Sequence, residues 1–287
     1  MSSPARIVDA HVHLWDPART DWYPYLGGGH DLGMGDVSGM ARRFDAATYV
    51  AEAGDWRVDK LVNVAAATGR HSVAETLELD RRADAEGAPA ALIGGLPATE
   101  SVAEAIAVLD EQLAASRFRG VRPMNPKAPP VPDDEVLRAL AERNLVFELM
   151  AHPPDLVDAA RRLAAHPDLT VVVEHTGWPR SADDGERARW LEGLAALAAA
   201  GDHVNCKLSG LAMPLGAMSA DLFRPWLEPA IETFGVGRCL FGSNFPVDGL
   251  HGSLDQLWST CSEVTSGLPA DEIDLLYAAN AERLYRC

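Results

Sequence analysis

The sequence predicts an α/β protein built as one closed (β/α)8 barrel with an additional C-terminal helix. Short apolar runs rich in Val, Ile and Leu alternate with longer segments of helical spacing, and eight such runs occur in 287 residues. An open doubly wound sheet would show a glycine-rich phosphate loop after its first strand, whereas DAHVHLWDP at 9–17 contains no glycine. No linker or composition shift divides the chain, so we expect a single domain over 1–287.

The elements follow one another in a regular order. The predicted strands are 6–12, 59–65, 90–96, 118–122, 145–150, 169–175, 203–209 and 238–243. The predicted helices include 72–86, 101–116, 133–143, 154–166, 185–200 and 220–234, with a last helix at about 269–285 that we expect to pack on the outside. Ser72 and Ser101 are each followed three residues later by glutamate, and this capping-box pattern predicts both as helix N-caps.

The composition excludes several classes of partner. The formal charge is -17, from 42 acidic and 25 basic residues, which argues against binding of nucleic acid or of an anionic membrane surface. No stretch approaches the roughly 18 apolar residues of a membrane span, and no signal core precedes the first strand, so we expect a cytoplasmic protein. Four cysteines without a C-x-x-C spacing indicate neither a zinc knuckle nor a disulfide framework.

Barrel enzymes place their chemistry where the strands end, so the polar residues there are the informative ones. They are Asp9, His11, His13, Arg122, Glu148, His175, Lys207, Ser209 and Asn244. Because side chains at i and i+2 of a strand share a face, Asp9, His11 and His13 are expected to line up together. Lys207 is expected inside the barrel, where an unpaired lysine is costly and branched aliphatic residues are usual, so we favour a functional role.

Several segments together resemble one family. DAHVHLWDP with the following WYPYL, then FRGVRP, CKLSGL and FGSNFPVD, occur in the order shown by the amidohydrolase superfamily, within its amidohydrolase-2 group of TIM-barrel proteins. That group includes lactonases of sugar acids and of muconolactone-type intermediates. The resemblance implies that His11, His13 and His175 cluster around one divalent metal such as zinc, or act without a metal.

The chain departs from the family pattern at Asn244, in GSNFP, where much of the superfamily has aspartate. An amide is neutral and cannot serve as the general base. Glu148, Asp248 or a histidine remain as bases, and we prefer Glu148, with an ion pair to Lys207 or Arg122 as its alternative role. Three neutral imidazoles can still hold zinc, which would lower the pKa of a bound water to about 7.

The loop after the first strand is the expected substrate wall. Trp15, Tyr23 and Tyr25 offer apolar faces and hydroxyl groups, and the glycine-rich LGGGHDLGMGD at 26–36 is expected to form a lid or to pack on the barrel rim. Arg122 and Arg180 are the predicted carboxylate-binding groups. For Lys207 two roles stay open, namely stabilising an oxyanion and neutralising Glu148.

The predicted function is therefore hydrolysis of a small lactone, with water adding to a carbonyl that histidines or a divalent metal polarise. The alternatives are a metal-dependent decarboxylase of the same superfamily, against which Asn244 counts, and a barrel that binds a metabolite without catalysis. The expected partner is a small anionic or polyhydroxylated molecule, with no nucleic acid and no membrane. A homo-oligomer formed through the outer helices is compatible with the sequence, but no particular residue indicates it.

Overall fold

The computed structural model describes residues 3–27, 36–124 and 128–287. Its eight strands form one parallel sheet in sequential order, which confirms the predicted barrel. The strands are Ile7–Val12 (β1), Val58–Val64 (β2), Ala91–Leu96 (β3), Phe118–Pro123 (β4), Val146–Leu149 (β5), Val171–Val173 (β6), Val204–Leu208 (β7) and Cys239–Phe241 (β8). Each lies within two residues of its predicted ends.

The sheet closes between β1 and the residues that follow β8. The backbone N–H of Asn244 donates to the carbonyl of His11 (2.7 Å), and that of His13 donates to the carbonyl of Phe245 (2.8 Å). The end of β1 and the loop after β8 are therefore held side by side. This part of the barrel mouth is formed by two segments that lie far apart in the sequence.

Helices alternate with the strands. They are Ala46–Ala53 (α1), His71–Glu86 (α2), Val102–Gln112 (α3), Asp134–Glu142 (α4), Pro153–Leu163 (α5), Asp184–Ala199 (α6), Ala212–Leu215 (α7), Ala220–Phe234 (α8), Leu254–Thr265 (α9), Ala270–Asp274 (α10) and Asn280–Tyr285 (α11). A π-helical turn at Leu275–Ala279 joins the last two helices. The sequence analysis did not identify α1, α7 or α9. Among the described residues, no helix has both the length and the apolar character needed to cross a membrane.

One of the two predicted N-caps is confirmed. Ser101 accepts a hydrogen bond from the backbone N–H of Glu104, as a cap does. Ser72 is not a cap, because α2 already begins at His71 and the Ser72 hydroxyl donates back to the carbonyl of Gly69. The glutamate of its presumed capping box instead supports the loop after β2.

The C-terminal helical segment was expected to pack on the outside of the barrel, and this part of the prediction is wrong. The segment packs against side chains of the barrel interior. Ala278, Ala281, Leu284 and Tyr285 form a buried cluster with inward strand residues, which are Val8, Ala10, Val62, Val64, Ala91, Ile93, Val146, Val172 and Leu240. Four of these strand residues, Val8, Ala91, Ile93 and Val146, lie in the first halves of their strands, and Arg6, just before β1, donates to Asp274 and Glu282 of the C-terminal segment. The helix therefore closes the N-terminal end of the barrel, where apolar interior side chains would otherwise meet water.

A β-bulge in β1 decides which side chains enter the barrel. Asp9 pairs with Leu61 and Val12 with Asn63, so β1 carries one residue more than β2 in this interval. The expectation that Asp9 shares a face with the two histidines is therefore wrong. The Asp9 carboxylate instead accepts hydrogen bonds from the hydroxyl of Tyr49 (2.8 Å) and from the backbone N–H of Ser243 (2.8 Å).

Candidate active site

The three predicted histidines meet in the barrel mouth. The ring centroids of His11 and His13 lie 4.9 Å apart, and those of His11 and His175 lie 4.6 Å apart. The Nε2 atoms of His11 and His13 approach to 3.3 Å. All three side chains are buried. The structure thus assembles one imidazole cluster from the first and sixth strands, as the sequence predicts.

These imidazoles are neutral at physiological pH. Burial lowers the pKa of His11 well below its ordinary value, that of His13 to about 3 and that of His175 to about 4. The His13 Nδ1–H donates to the carbonyl of Val64 at 2.7 Å, so its Nε2 carries the lone pair. That lone pair faces the cluster and is available to accept a proton or to bind a metal.

His175 reaches the site through an unusual turn. β6 ends at Val173, and four consecutive residues then adopt left-handed φ angles: His175 (51°), Thr176 (54°), Gly177 (75°) and Trp178 (42°). Such angles cost the three L residues with side chains roughly 1 kcal/mol or more each. The indole N–H of Trp190 donates to the carbonyl of Thr176 at 2.6 Å and helps to hold the turn. Strain of this kind is typical of functional sites.

The sequence analysis missed Glu174, a buried carboxylate inside the cluster. Its Oε2 lies 3.3 Å from Nη1 of Arg122 and 3.7 Å from Nε2 of His175. Strand alternation places residues 174 and 175 on opposite faces, so His175 and its neighbour were not expected to share a site. The left-handed turn brings His175 back to the side of Glu174. The signal that the sequence does contain is an acidic residue at the end of an apolar run, directly before the predicted ligand His175.

These residues fit a divalent metal. One ligand atom from each of His11, Glu174 and His175 lies within 4.8 Å of the other two. The imidazoles are neutral, as ligands must be, and Glu174 supplies the anionic oxygen that Asn244 does not. The second oxygen of Glu174, Oε1, is buried and has no hydrogen-bond partner among the described residues, which is unusual for a carboxylate and is explained if a cation binds there. His13 was predicted as the third ligand, and its Nε2 stands beside this trio.

Glu148, the preferred base, is engaged elsewhere. Both of its oxygens lie 2.6 Å from Nζ of Lys207, and Oε1 also accepts the hydroxyl proton of Tyr285 at 2.5 Å. Burial raises the pKa of Glu148 to about 7, against the opposing charge of Lys207. This geometry is the ion pair that the sequence analysis gave as the alternative role, and it commits Lys207 to Glu148.

Asn244 lies at the mouth with its backbone in the left-handed region (φ 56°). Its Nδ2 donates to Oδ1 of Asp248 at 2.8 Å. Asp248 is fully buried, and this burial raises its pKa to about 7. The amide nitrogen is therefore committed to Asp248, and the amide oxygen remains the group that can accept a hydrogen bond from another partner.

The aromatic residues form a wall beside His13, but their polar atoms are occupied. The ring of Trp15 stacks parallel to that of His13 with centroids 5.7 Å apart. The hydroxyl of Tyr23 donates to Glu75, and the hydroxyl of Tyr25 donates to the carbonyl of Ala66. Trp15 and Tyr23 are buried and Tyr25 is partly buried, so these residues contribute apolar packing beside His13 rather than hydroxyl groups for a ligand. The predicted lid falls largely on 28–35, outside the described residues.

The two predicted arginines differ in their placement. Nε and Nη2 of Arg122 donate to the carbonyl of Ala65 (2.9 and 2.5 Å), and its Nη1 meets Glu174. Arg122 therefore lies in the cluster, already bound to protein oxygens. Arg180 is exposed, and its backbone N–H donates to Glu186.

Comparison with known proteins identifies the class. The family model "Amidohydrolase" matches residues 8–287. L-fucono-1,5-lactonase of Burkholderia multivorans is 31% identical over 300 aligned residues, covering 97% of this chain and 95% of that protein. An uncharacterized protein of Sinorhizobium fredii, y4mH, is 30% identical and covers 99% of both chains. The crystal structure of a B. multivorans amidohydrolase with bound zinc superimposes with a TM-score of 0.82 at 27% identity, covering 98% of this chain and 99% of the other.

Fold and site together define a barrel hydrolase with a histidine cluster at its mouth. The chain belongs to the amidohydrolase family, of the group that the sequence motifs indicate.

Proposed function

We propose that this protein hydrolyses a small lactone. The observation that carries the proposal is the cluster of three neutral imidazoles with the unpartnered carboxylate oxygen of Glu174. This set of groups is suited to polarising a carbonyl and activating water. Two relatives named L-fucono-1,5-lactonase, at 31% and 29% identity, support a lactone as the substrate.

A divalent cation fits this proposal, and zinc is bound in the B. multivorans relative. In this chain His11, Glu174 and His175 would hold it. When bound, such a cation supplies Lewis acidity that polarises the lactone carbonyl. Arg122 orients Glu174 through the contact at Nη1, and Ser209 orients His175 through a 3.0 Å hydrogen bond to Nδ1.

The protein groups divide the remaining work. Water adds to the carbonyl carbon as its proton passes to Nε2 of His13. The ring C–O bond then breaks, and the same proton passes from His13 to the leaving ring oxygen, which gives the hydroxy acid and the neutral imidazole. His13 is placed for this role because its Nδ1–H is fixed on Val64, which leaves Nε2 to accept the proton. Burial and the charge of Arg122 lower the pKa of His13, and the charge of Glu174 offsets part of this effect. The amide oxygen of Asn244, whose Nδ2 donates to Asp248, is the acceptor that orients the attacking water.

The surroundings favour a neutral, polyhydroxylated lactone over a carboxylated one. Arg122 is the arginine of the cluster, and it is already neutralised by Glu174 and bound to Ala65. A second carboxylate there would meet the like charge of Glu174. The ring of Trp15, stacked on His13, makes this side of the site apolar, which suits a neutral ring better than an anion.

The test is a panel of neutral sugar-acid lactones and carboxylated lactones, followed by acid release with a pH indicator and corrected for spontaneous opening. We expect turnover of neutral sugar lactones, reduced about 100-fold or more in His13→Asn, since a general base contributes at least this much. His203→Asn is the matched control, because His203 precedes β7 at the opposite end of the barrel. Absence of turnover in the folded, zinc-supplied protein, or release of CO2 from an aromatic acid instead, would overturn the proposal.

A further inference from the structure

A column of polar side chains runs through the barrel from its closed end to the histidines. The hydroxyl of Tyr285, on α11, donates to Glu148 (2.5 Å), and Lys207 donates to both oxygens of Glu148. Nζ of Lys207 also lies 3.5 Å from Nδ1 of His11. Each of these four side chains is fully buried. The column therefore links the last helix to the candidate active site without contact with solvent.

This column is not needed to close the barrel. The neighbours of Tyr285 in the closing cluster, including Ala278, Ala281 and Leu284, are apolar. A buried ion pair costs desolvation free energy that well-packed apolar residues of similar volume would avoid. The column lies next to the histidines, and Lys207 faces His11. This position indicates that the column has a role in the candidate active site.

The hydrogen bonds of the column have a single direction. A lysine ammonium only donates, so in the cation-free protein Nδ1 of His11 must accept from Lys207 and its ring proton must lie on Nε2. A cation that binds at His11 would take the place of this Nε2 proton. That Nε2–H faces the lone pair of His13 Nε2 at 3.3 Å, since the other nitrogen of His13 donates to Val64. Lys207 thereby determines which nitrogen of His11 carries the proton.

We propose that Tyr285 is a positioning residue for His11. Its hydroxyl fixes the carboxylate of Glu148, Glu148 fixes the ammonium of Lys207, and Lys207 fixes the tautomer and ring orientation of His11. The ring of Tyr285 adds a second restraint, because Nζ of Lys207 lies 5.4 Å from its centroid. The kinetic consequence rests on the proposed lactone hydrolysis, whereas the effect on the His11 ring does not.

The test compares Tyr285→Phe with Tyr277→Phe. Tyr277 is an equally buried tyrosine of the same C-terminal segment, and its hydroxyl lies 3.1 Å from Oγ1 of Thr265, away from Glu148. Both substitutions remove one buried hydroxyl and keep the ring. We would measure the ring 15N shifts of histidine-labelled protein after chelation of divalent cations, assigning His11 with His11→Gln. We would also measure kcat, KM and thermal unfolding of the zinc-supplied protein.

In Tyr285→Phe we expect the 15N shifts of His11 to move away from those of the Nε2–H tautomer, and kcat to fall about 10-fold with KM little changed. Tyr277→Phe should lower thermal stability similarly and leave both readouts unchanged. Glu148→Gln, which keeps the shape of the side chain, should move the His11 shifts in the same direction, and it decides the matter if Tyr285→Phe fails to fold. Unchanged His11 shifts in the folded variant, or an equal change in Tyr277→Phe, would overturn the inference. If the wild type opens no lactone, the proposed function fails, and the 15N shifts still test this proposal.

Discussion

Asn244 occupies the position where much of the superfamily has an acidic residue. A carboxyl group is nevertheless present beside this position. The carboxyl group lies four residues later, at Asp248, and receives the amide N–H of Asn244 at 2.8 Å. The two side chains form a matched donor and acceptor. An aspartate at 244 would instead place two buried carboxyl groups within hydrogen-bond distance.

We therefore expect Asn244→Asp to lower kcat by about 10-fold or more, because the two carboxyl groups would share one proton and the amide oxygen would be lost. The exchange variant Asn244→Asp/Asp248→Asn restores one donor and one acceptor and should recover part of the loss. Steady-state kinetics of the three proteins checks this. A gain in turnover in the single variant would indicate a decayed site that improves when its acid returns.

At the scale of single residues, the sequence predicted the histidines better than the carboxylates. The His-x-His spacing of His11 and His13 and the position of His175 at a strand end were sufficient to group them. Glu174 could not be grouped with His175 from the sequence. Their side chains share a site only because of the left-handed turn after β6, and hydrophobic periodicity does not predict such a turn. The partner of Glu148 was one of two alternatives, and only the packing selects Lys207.

At the scale of elements, the turn after β6 depends on a glycine in the neighbouring segment. Gly210 follows β7 with a φ of 67°, and a Cβ there would lie 2.5 Å from Nδ1 of His175. Gly216 has nearly the same φ of 69°, with nothing within 4 Å of its Cβ position. Both glycines have a left-handed backbone conformation. At Gly210 a side chain would in addition collide with His175.

Gly210→Ala should therefore displace the ring of His175 and lower kcat/KM by about 10-fold or more. Gly216→Ala should cost only the strain of a left-handed alanine, about 1 kcal/mol, and leave kcat/KM unchanged. Denaturant unfolding and kinetics of both variants separate the two effects. Equal losses of kcat/KM in the two variants would mean that the close approach of Gly210 to His175 does not affect catalysis.

The regular elements were predictable because their signal is periodic. Runs such as those of β3 and β6 are apolar and buried on both faces, since one faces the barrel interior and the other faces helices. The bulge in β1 and the turn after β6 are local departures from the regular repeat, so the hydrophobic periodicity does not reveal them. Ser72 was misassigned for a related reason, because the capping pattern is shared by a serine just inside a helix whose glutamate has another partner.

At the scale of the whole molecule, Asp248 links the site to global stability. Burial raises its folded pKa from 3.8 to about 7, so between these pH values the folded protein binds a proton that the unfolded chain has released. This contribution to stability is complete below about pH 4 and is lost as the pH rises through 7. Asp248→Asn removes the titration.

Between pH 5 and pH 8 we expect the wild type to lose about 2 kcal/mol of unfolding free energy relative to Asp248→Asn. Urea unfolding of both proteins across this range measures the difference, and taking the difference cancels the other buried groups that titrate in both. Parallel curves for the two proteins would show that Asp248 is ionised throughout, with a pKa below 5.

The bulge in β1 has a consequence for how such a barrel can change over generations. Because the extra residue lies between Asp9 and Val12, loss of a single codon there would restore simple alternation along the strand. The hydrogen-bonded ladder to β2 would survive, and Asp9 and Val12 would keep their present faces, because only one of the two residues between them would be lost. The bulge thus makes this strand a place where the fold can lose one residue, Ala10 or His11, without turning any neighbouring side chain from the barrel interior to the exterior.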